Sequence, residues 1–171
     1  AGLNGAGKTT LLRKIKDSTY KNLAIVAPTG IAALNAGGVT IHSFFQLPFA
    51  GFIPEFGAQP AFSATVKFET KDTLLRHFAM NKTRKQLIRN IELLIIDEVS
   101  MLRADLLDAI DIVLRFIRKN NTSSFGGVQV LFIGDLHQLP PVVKQNEWNL
   151  LSNFYKSIYF FDFLMHDFSM F

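Results

Sequence analysis

Eight residues near the start of the chain, Gly2-Leu3-Asn4-Gly5-Ala6-Gly7-Lys8-Thr9, constrain the fold more than any other segment. Glycine, four residues, glycine, lysine and a hydroxyl residue is the spacing of a phosphate-binding loop. Glycines let the backbone curl until several amide hydrogens point inward, and a helix opening directly afterwards adds the positive end of its dipole to the same anion site. On this reading Gly2, Asn4, Gly5, Ala6, Gly7, Lys8, Thr9 and Thr10 hold the phosphates of ATP. Lys8 reaches the β- and γ-phosphates, and the Thr9 hydroxyl ligates Mg²⁺. Taken alone, the segment could also be a flexible glycine turn, so the rest of the chain has to supply the other half of such a site.

The pattern downstream alternates apolar runs with helical stretches. A helix is expected over 9–18, a short buried strand over 23–27, a turn at Pro28-Thr29-Gly30 and a short helix over 31–35 that Gly37-Gly38 interrupts. Residues 48–68 carry Pro48, Pro54, Pro60, Gly51, Gly57 and five phenylalanines, which predicts an irregular excursion over the core without a regular element. Further helices are expected over 81–90 and 104–118, with strands at 93–96 and 128–133. The 104–118 helix shows an apolar stripe of Leu106, Ile110, Val113, Leu114 and Ile117, with Asp105 and Asp108 near its positive end. Apolar strands separated by helices, each with polar residues at its carboxyl end, describe an α/β protein with a mainly parallel sheet flanked by helices and a ligand along that edge.

Leu93-Leu94-Ile95-Ile96-Asp97-Glu98 is the expected partner of the phosphate loop. An apolar strand delivers two carboxylates to the sheet edge: Asp97 to hold Mg²⁺, and Glu98 to orient and deprotonate the attacking water. Two acids ending a strand are more often solvent-facing, but the phosphate loop reverses that balance. Gly134-Asp135-Leu136-His137-Gln138-Leu139-Pro140-Pro141 follows the next strand, and Gln138 is placed to contact the γ-phosphate; the alternative is a turn stiffened by two prolines. Lys8, Glu98 and Gln138 are thus the candidate catalytic residues, with Thr9 and Asp97 as metal ligands.

These segments together resemble the Pif branch of the superfamily 1B DNA helicases. The resemblance rests on the phosphate loop, on Ala27-Pro28-Thr29-Gly30-Ile31-Ala32-Ala33, on Gly38-Val39-Thr40-Ile41-His42-Ser43-Phe44, on Ile96-Asp97-Glu98-Val99-Ser100-Met101, on Phe125-Gly126-Gly127 and on the stretch from Gly134 to Pro141. It implies a RecA-like P-loop NTPase fold over 1–171, ATP hydrolysis coupled to 5′-to-3′ movement on single-stranded DNA, and work in replication, recombination, repair or telomere maintenance. It further implies that Pro28, Thr29 and Gly30, then Thr40, His42, Ser43 and Phe44, face the DNA strand. Hydroxyls, amides and an imidazole suit phosphates, and Phe44 or Phe45 suits a base; His42 as a structural histidine and Phe44 as core are the competing readings. The family has an apolar strand directly before the phosphate loop and closes its site with arginines of a second RecA-like domain. Here only Ala1 precedes Gly2, and no arginine follows Arg118. The expectation is a first motor domain cut from a longer protein and weakly active alone. A RecD-like helicase motor and a nucleotide-binding fragment without turnover are the alternatives.

Bulk properties narrow the rest. With 49% hydrophobic residues over 171 positions, one domain with a substantial core is expected. No apolar run approaches the roughly 20 residues of a membrane span, and the absence of cysteine removes disulfides and thiolate metal sites. An intracellular protein is expected: cytoplasm or nucleoid in a bacterium, nucleus or mitochondrion in a eukaryote. The net charge of +4 is uneven, with five basic residues and no acid over 73–91. That run suits either a polyanionic partner or an ordinary solvated helix face. The Phe-rich tail over 159–171 suits either packing on the core or contact with a partner.

Overall fold

The computed structural model describes residues 6–54, 67–76 and 80–163. The expectations on Gly2, Asn4 and Gly5 lie outside the described residues.

Helix α1 (Ala6–Ser18) begins ahead of the expected start at Thr9. Strand β1 (Leu23–Ala27) falls where the apolar run places it. Helix α2 (Gly30–Ala36) opens on Thr29, whose hydroxyl accepts the Ala32 amide, and closes on Gly37 in the left-handed region. The two-residue strand β2 (Val39–Thr40) then passes into α3 (Ile41–Phe45), where the Thr40 hydroxyl accepts the Ser43 amide. Two short strands, β3 (Gly51–Ile53) and β4 (Phe68–Thr70), precede α4 (Lys71–Arg76). Helix α5 (Lys82–Asn90) is capped by Asn81, β5 (Leu93–Ile96) follows, and a 3₁₀ turn at Val99–Met101 leads to α6 (Ala104–Arg118). A second such turn at Ser124–Gly127 resets the chain for β6 (Gln129–Phe132), and α7 (Gln145–Leu151) comes last.

Strands β2, β1, β5 and β6 form one sheet in that order, with every neighbouring pair parallel. Leu23 pairs with Leu93 and Leu93 with Gln129, so the three longer strands run in step and end together. Successive side chains alternate faces. Val26, Leu94 and Ile96 therefore join Phe45, Ile88, Ile110 and Leu114 in one core, while Ile25, Leu93 and Ile95 join Leu12 of α1 and Ala36 of α2 in another. Helices on both faces explain why these strands read as unbroken apolar runs. Ile95 and Ile96 are fully buried, and truncating either to alanine costs about 2–5 kcal/mol.

The excursion departs from its expected irregularity. β3 and β4 pair in parallel, Gly51 with Phe68 through Ile53 with Thr70. The Phe52 amide donates to a buried Asp105 carboxylate oxygen at 3.0 Å, so a side chain from a distant helix fixes a strand too short to show a periodic signal. α6 departs as well: Leu107, not Leu106, is the fully buried position, and the buried surface extends to Asp105, Asp108 and Asp111. The Phe125-Gly126-Gly127 turn packs on this helix, and a Cβ on Gly126, whose φ is +60, would lie 2.8 Å from the Leu114 carbonyl oxygen. That close approach requires glycine.

Of the basic run, Arg84 donates to the Ser43 carbonyl and Arg89 to the Ile117 carbonyl, so these two arginines tie α5 to its neighbours. The tail packs on the core as far as it is described: Phe160 is buried and stacks on Phe132 with ring centroids 5.1 Å apart. Among the described residues no helix is long and apolar enough to cross a membrane.

Candidate active site

The polar segments all leave the sheet at one edge. Pro28 follows β1, Thr40 ends β2, Asp97 follows β5, and Gly134 comes shortly after β6. There a cavity of about 450 Å³ is lined by Lys8, Thr9, Asp97, Glu98 and Gln138 together. Residues far apart in sequence converge because in-step parallel strands deliver their carboxyl ends to one line. The Lys8 ammonium lies 3.1 Å from a Glu98 carboxylate oxygen, with both side chains a little over a quarter exposed. Glu98 adopts φ 53 and ψ 48, a left-handed backbone uncommon for glutamate, and this bend turns its side chain to Lys8 while Asp97 continues the line of β5.

Asp97 is half-buried, and its Oδ1 has no hydrogen-bond partner among the described residues. Burial first, and then the neighbouring Glu98 charge, raise its carboxyl above the usual carboxylate value, against the lowering effects of the Glu98 amide and of Lys8. A buried carboxylate oxygen without a partner, sharing a cavity with a threonine hydroxyl, is a hard-oxygen donor set suited to Mg²⁺, which keeps few protein ligands and completes its shell with water and phosphate. The Gln138 amide donates to the Asp135 carbonyl at 3.0 Å, and Asp135 also accepts the His137 amide, so the turn bearing Gln138 is internally braced. Sequence reasoning missed Arg13 and Lys16 of α1, which line the same cavity. Lys8, Leu12 and Lys16 recur at four-residue spacing, the signal that places them on one helix face.

The segments expected to meet DNA are arranged less uniformly. Pro28 and Thr29 are half-buried and Gly30 is exposed. The Thr29 and Thr40 hydroxyls serve as helix caps, and Ser43 is exposed with its carbonyl taken by Arg84. Phe44 corrects an expectation: it is buried and meets Phe45 edge-on at 4.9 Å, so its ring belongs to the core and offers no face to a base. Phe45 is fully buried too. The exposed aromatic is Phe49, 89% accessible, which stacks on His42 with centroids 4.5 Å apart and planes 13° from parallel. Nothing in the sequence pattern distinguishes Phe49 from the other phenylalanines of the excursion; only the fold brings it over His42. Burial, and next the Arg103 guanidinium, push the His42 imidazole below its ordinary value, with Asp105 opposing. Burial and Arg103 both favour the neutral imidazole. A second cavity of about 450 Å³ lies beside this pair, lined also by Lys67, Arg103 and Lys144.

A parallel sheet that gathers a lysine–threonine pair and two adjacent acids at one edge, downstream of a phosphate-loop sequence, defines the class of P-loop NTPases with a RecA-like fold. Within that class the chain belongs to the PIF1-like helicase family, which matches residues 1–52 and 57–160. It is 41% identical over 150 residues to an ATP-dependent DNA helicase PIF1 of Saccharomyces cerevisiae, an alignment covering 84% of this chain and 15% of that protein. Bacteroides Pif1 bound to single-stranded DNA is 44% identical with a TM-score of 0.76, over 94% of this chain and 33% of that one. Bacteroides Pif1 in complex with ADP-AlF4 is 44% identical with a TM-score of 0.74, over 92% of this chain and 32% of that one. The chain thus spans about a third of those solved helicases and a smaller share of the yeast relative.

Proposed function

We propose that residues 1–171 form the first RecA-like motor domain of an ATP-dependent DNA helicase that moves 5′ to 3′ along a single strand. The observation that carries this is the convergence of Lys8, Thr9, Asp97, Glu98 and Gln138 on one cavity. ATP binds there through the phosphate loop, Gly2, Asn4, Gly5, Ala6, Gly7, Thr9 and Thr10, with Lys8 on the β- and γ-phosphates. The 3.1 Å contact of Lys8 with Glu98 sets up a competition: phosphate oxygens and the Glu98 carboxylate are alternative acceptors for one ammonium. When Lys8 turns to phosphate, Glu98 is released to take a proton from the attacking water. Thr9 and Asp97 would hold Mg²⁺, which when bound neutralises phosphate charge. Gln138 contacts the γ-phosphate and reports its presence.

Single-stranded DNA runs across Pro28, Thr29, Gly30, Thr40, His42 and Ser43. The exposed Phe49 ring, supported from below by His42, supplies the base-stacking surface that Phe44 does not. A second RecA-like domain of the full-length protein completes the site with arginine, worth roughly 10³ to 10⁵ in rate in such enzymes. The biological setting that fits is replication, recombination, repair or telomere maintenance inside the cell.

The test is binding of a fluorescent oligo-dT strand by the full-length protein beside its Phe49→Ala variant. The expected result is submicromolar binding that the variant weakens by roughly tenfold, the loss of about one stacked base. Equal affinity of the two would remove Phe49 from the DNA path, and no binding by either would remove the helicase reading.

A further inference from the structure

Ser100 is 1% exposed, and its hydroxyl oxygen has no hydrogen-bond partner among the described residues. Buried hydroxyls in folded proteins are ordinarily paired, so an orphan calls for a cause. This one stands just after Glu98, in the 3₁₀ turn at Val99–Met101, and lines a cavity of about 440 Å³ with Glu98, Met101, His137 and Gln138. The turn bearing Gln138 is pressed against that 3₁₀ turn. The Val99 amide donates to the Ile133 carbonyl at 3.1 Å. A Cβ on Gly134 would sit 2.8 Å from the Val99 nitrogen and 3.4 Å from the Ser100 nitrogen. These backbone contacts hold the start of the Gln138 turn against Ser100, and the hydroxyl and the carboxamide line one cavity.

Gln138 carries an ambiguity that a donor must resolve. Its carboxamide has an acceptor on one side and two donors on the other, and the two ends are nearly the same shape. To meet a phosphate oxygen it has to present Nε2. Glu98, which lines the same cavity, is an acceptor that could compete for the same NH₂ group. A hydroxyl donating to Oε1 fixes the flip, and Ser100 supplies the only hydroxyl among the residues lining this cavity. We propose that Ser100 is a positioning residue for ATP hydrolysis: once ATP is bound, its Oγ–H, without a partner among the described residues of this structure, donates to Gln138 Oε1 and so turns Nε2 towards the γ-phosphate. The inference rests on the γ-phosphate role of Gln138 given above.

The experiment compares Ser100→Ala, Gln138→Ala and the double variant in the full-length helicase, measuring steady-state ATP hydrolysis with saturating oligo-dT and thermal unfolding of each. Ser100→Ala is expected to lower kcat roughly tenfold, a modest loss beside that of a direct transition-state donor, with KM for ATP within about twofold. Its Tm stays the same or rises, because the substitution deletes a buried polar atom that has no partner. The double variant turns over no more slowly than Gln138→Ala alone. Unchanged kcat in Ser100→Ala beside an impaired Gln138→Ala overturns the Ser100 role while leaving Gln138 in place. So does a kcat loss accompanied by a fall in Tm, which marks a structural hydroxyl, or a loss that multiplies with that of Gln138→Ala. Wild-type kcat in Gln138→Ala removes the γ-phosphate role, and the Ser100 role falls with it.

Discussion

Asp97 and Asp105 flank one short 3₁₀ turn, and the structure treats them in opposite ways. Asp105 is buried, receives two hydrogen bonds from the Arg103 guanidinium at 2.8 Å each, and accepts the Phe52 amide at 3.0 Å. Arg103 in turn reaches Glu147 of α7 at 3.0 Å. Further along α6, Asp108 accepts the Tyr155 hydroxyl at 2.8 Å, and Asp111 accepts the Phe125 amide and pairs with Arg115. Asp97 and Ser100, at the sheet edge, each keep a buried oxygen without a partner among the described residues. The contrast separates two uses of a buried polar group. Satisfied carboxylates on α6 fasten the excursion, α7 and the Phe125 turn to the core. Unsatisfied oxygens just after β5 contribute nothing of that kind to the fold, and in the function proposed above they serve a ligand.

Breaking the satisfied set should cost the most stability. Asp105→Ala leaves Arg103 short of a partner and the Phe52 amide unpaired, an expected loss of about 3 kcal/mol in urea unfolding, the low end for a broken buried pair because Arg103 keeps Glu147. A loss near zero would mean that the network is ornamental. Tyr155→Phe removes one bond to Asp108. Burial, and next the Asp108 charge, hold the Tyr155 hydroxyl far above its usual range, so it stays a donor at all ordinary pH. The expected cost is about 1–2 kcal/mol in the same assay.

Asp97→Asn sharpens the comparison from the other side, with the smallest effect on stability and the opposite sign. The folded-state pKa of Asp97 lies above the reference 3.8. Its ionised form therefore opposes folding at pH above that raised value, and the opposition fades as pH falls through it towards 3.8. Thermal melts should show the variant equal to or above wild type at pH 7, with the gap closing in acid. A variant that melts lower at pH 7 would place Asp97 with the structural acids.

The sequence made the central sheet and the chemical site legible for a shared reason. Strands covered on both faces are continuous apolar runs, and the residues ending them at 97, 98 and 134 stand out against that background. Lys8, Thr9 and the paired acids needed only parallel, in-step strands to meet. What stayed hidden depends on long-range partners. β3 was invisible because the Asp105 side chain fixes it from afar, α7 because seven residues give a weak periodic signal, and the inward turn of Leu107 because both it and Leu106 are apolar. Phe44 and Phe49 show the limit most plainly: two phenylalanines of one segment, one closed in the core and the other open on His42. Composition cannot tell them apart, and burial decides.

The central claim is that the unsatisfied edge is an ATP-hydrolysing site with Glu98 as its base. Steady-state ATP hydrolysis by the full-length helicase, with and without single-stranded DNA, tests it most directly beside a Glu98→Gln variant that keeps the shape and loses the proton acceptor. The account expects DNA to raise the wild-type rate, and the variant to bind ATP as before while turning over roughly 10² to 10⁴ times more slowly. Turnover in Glu98→Gln close to wild type would contradict it.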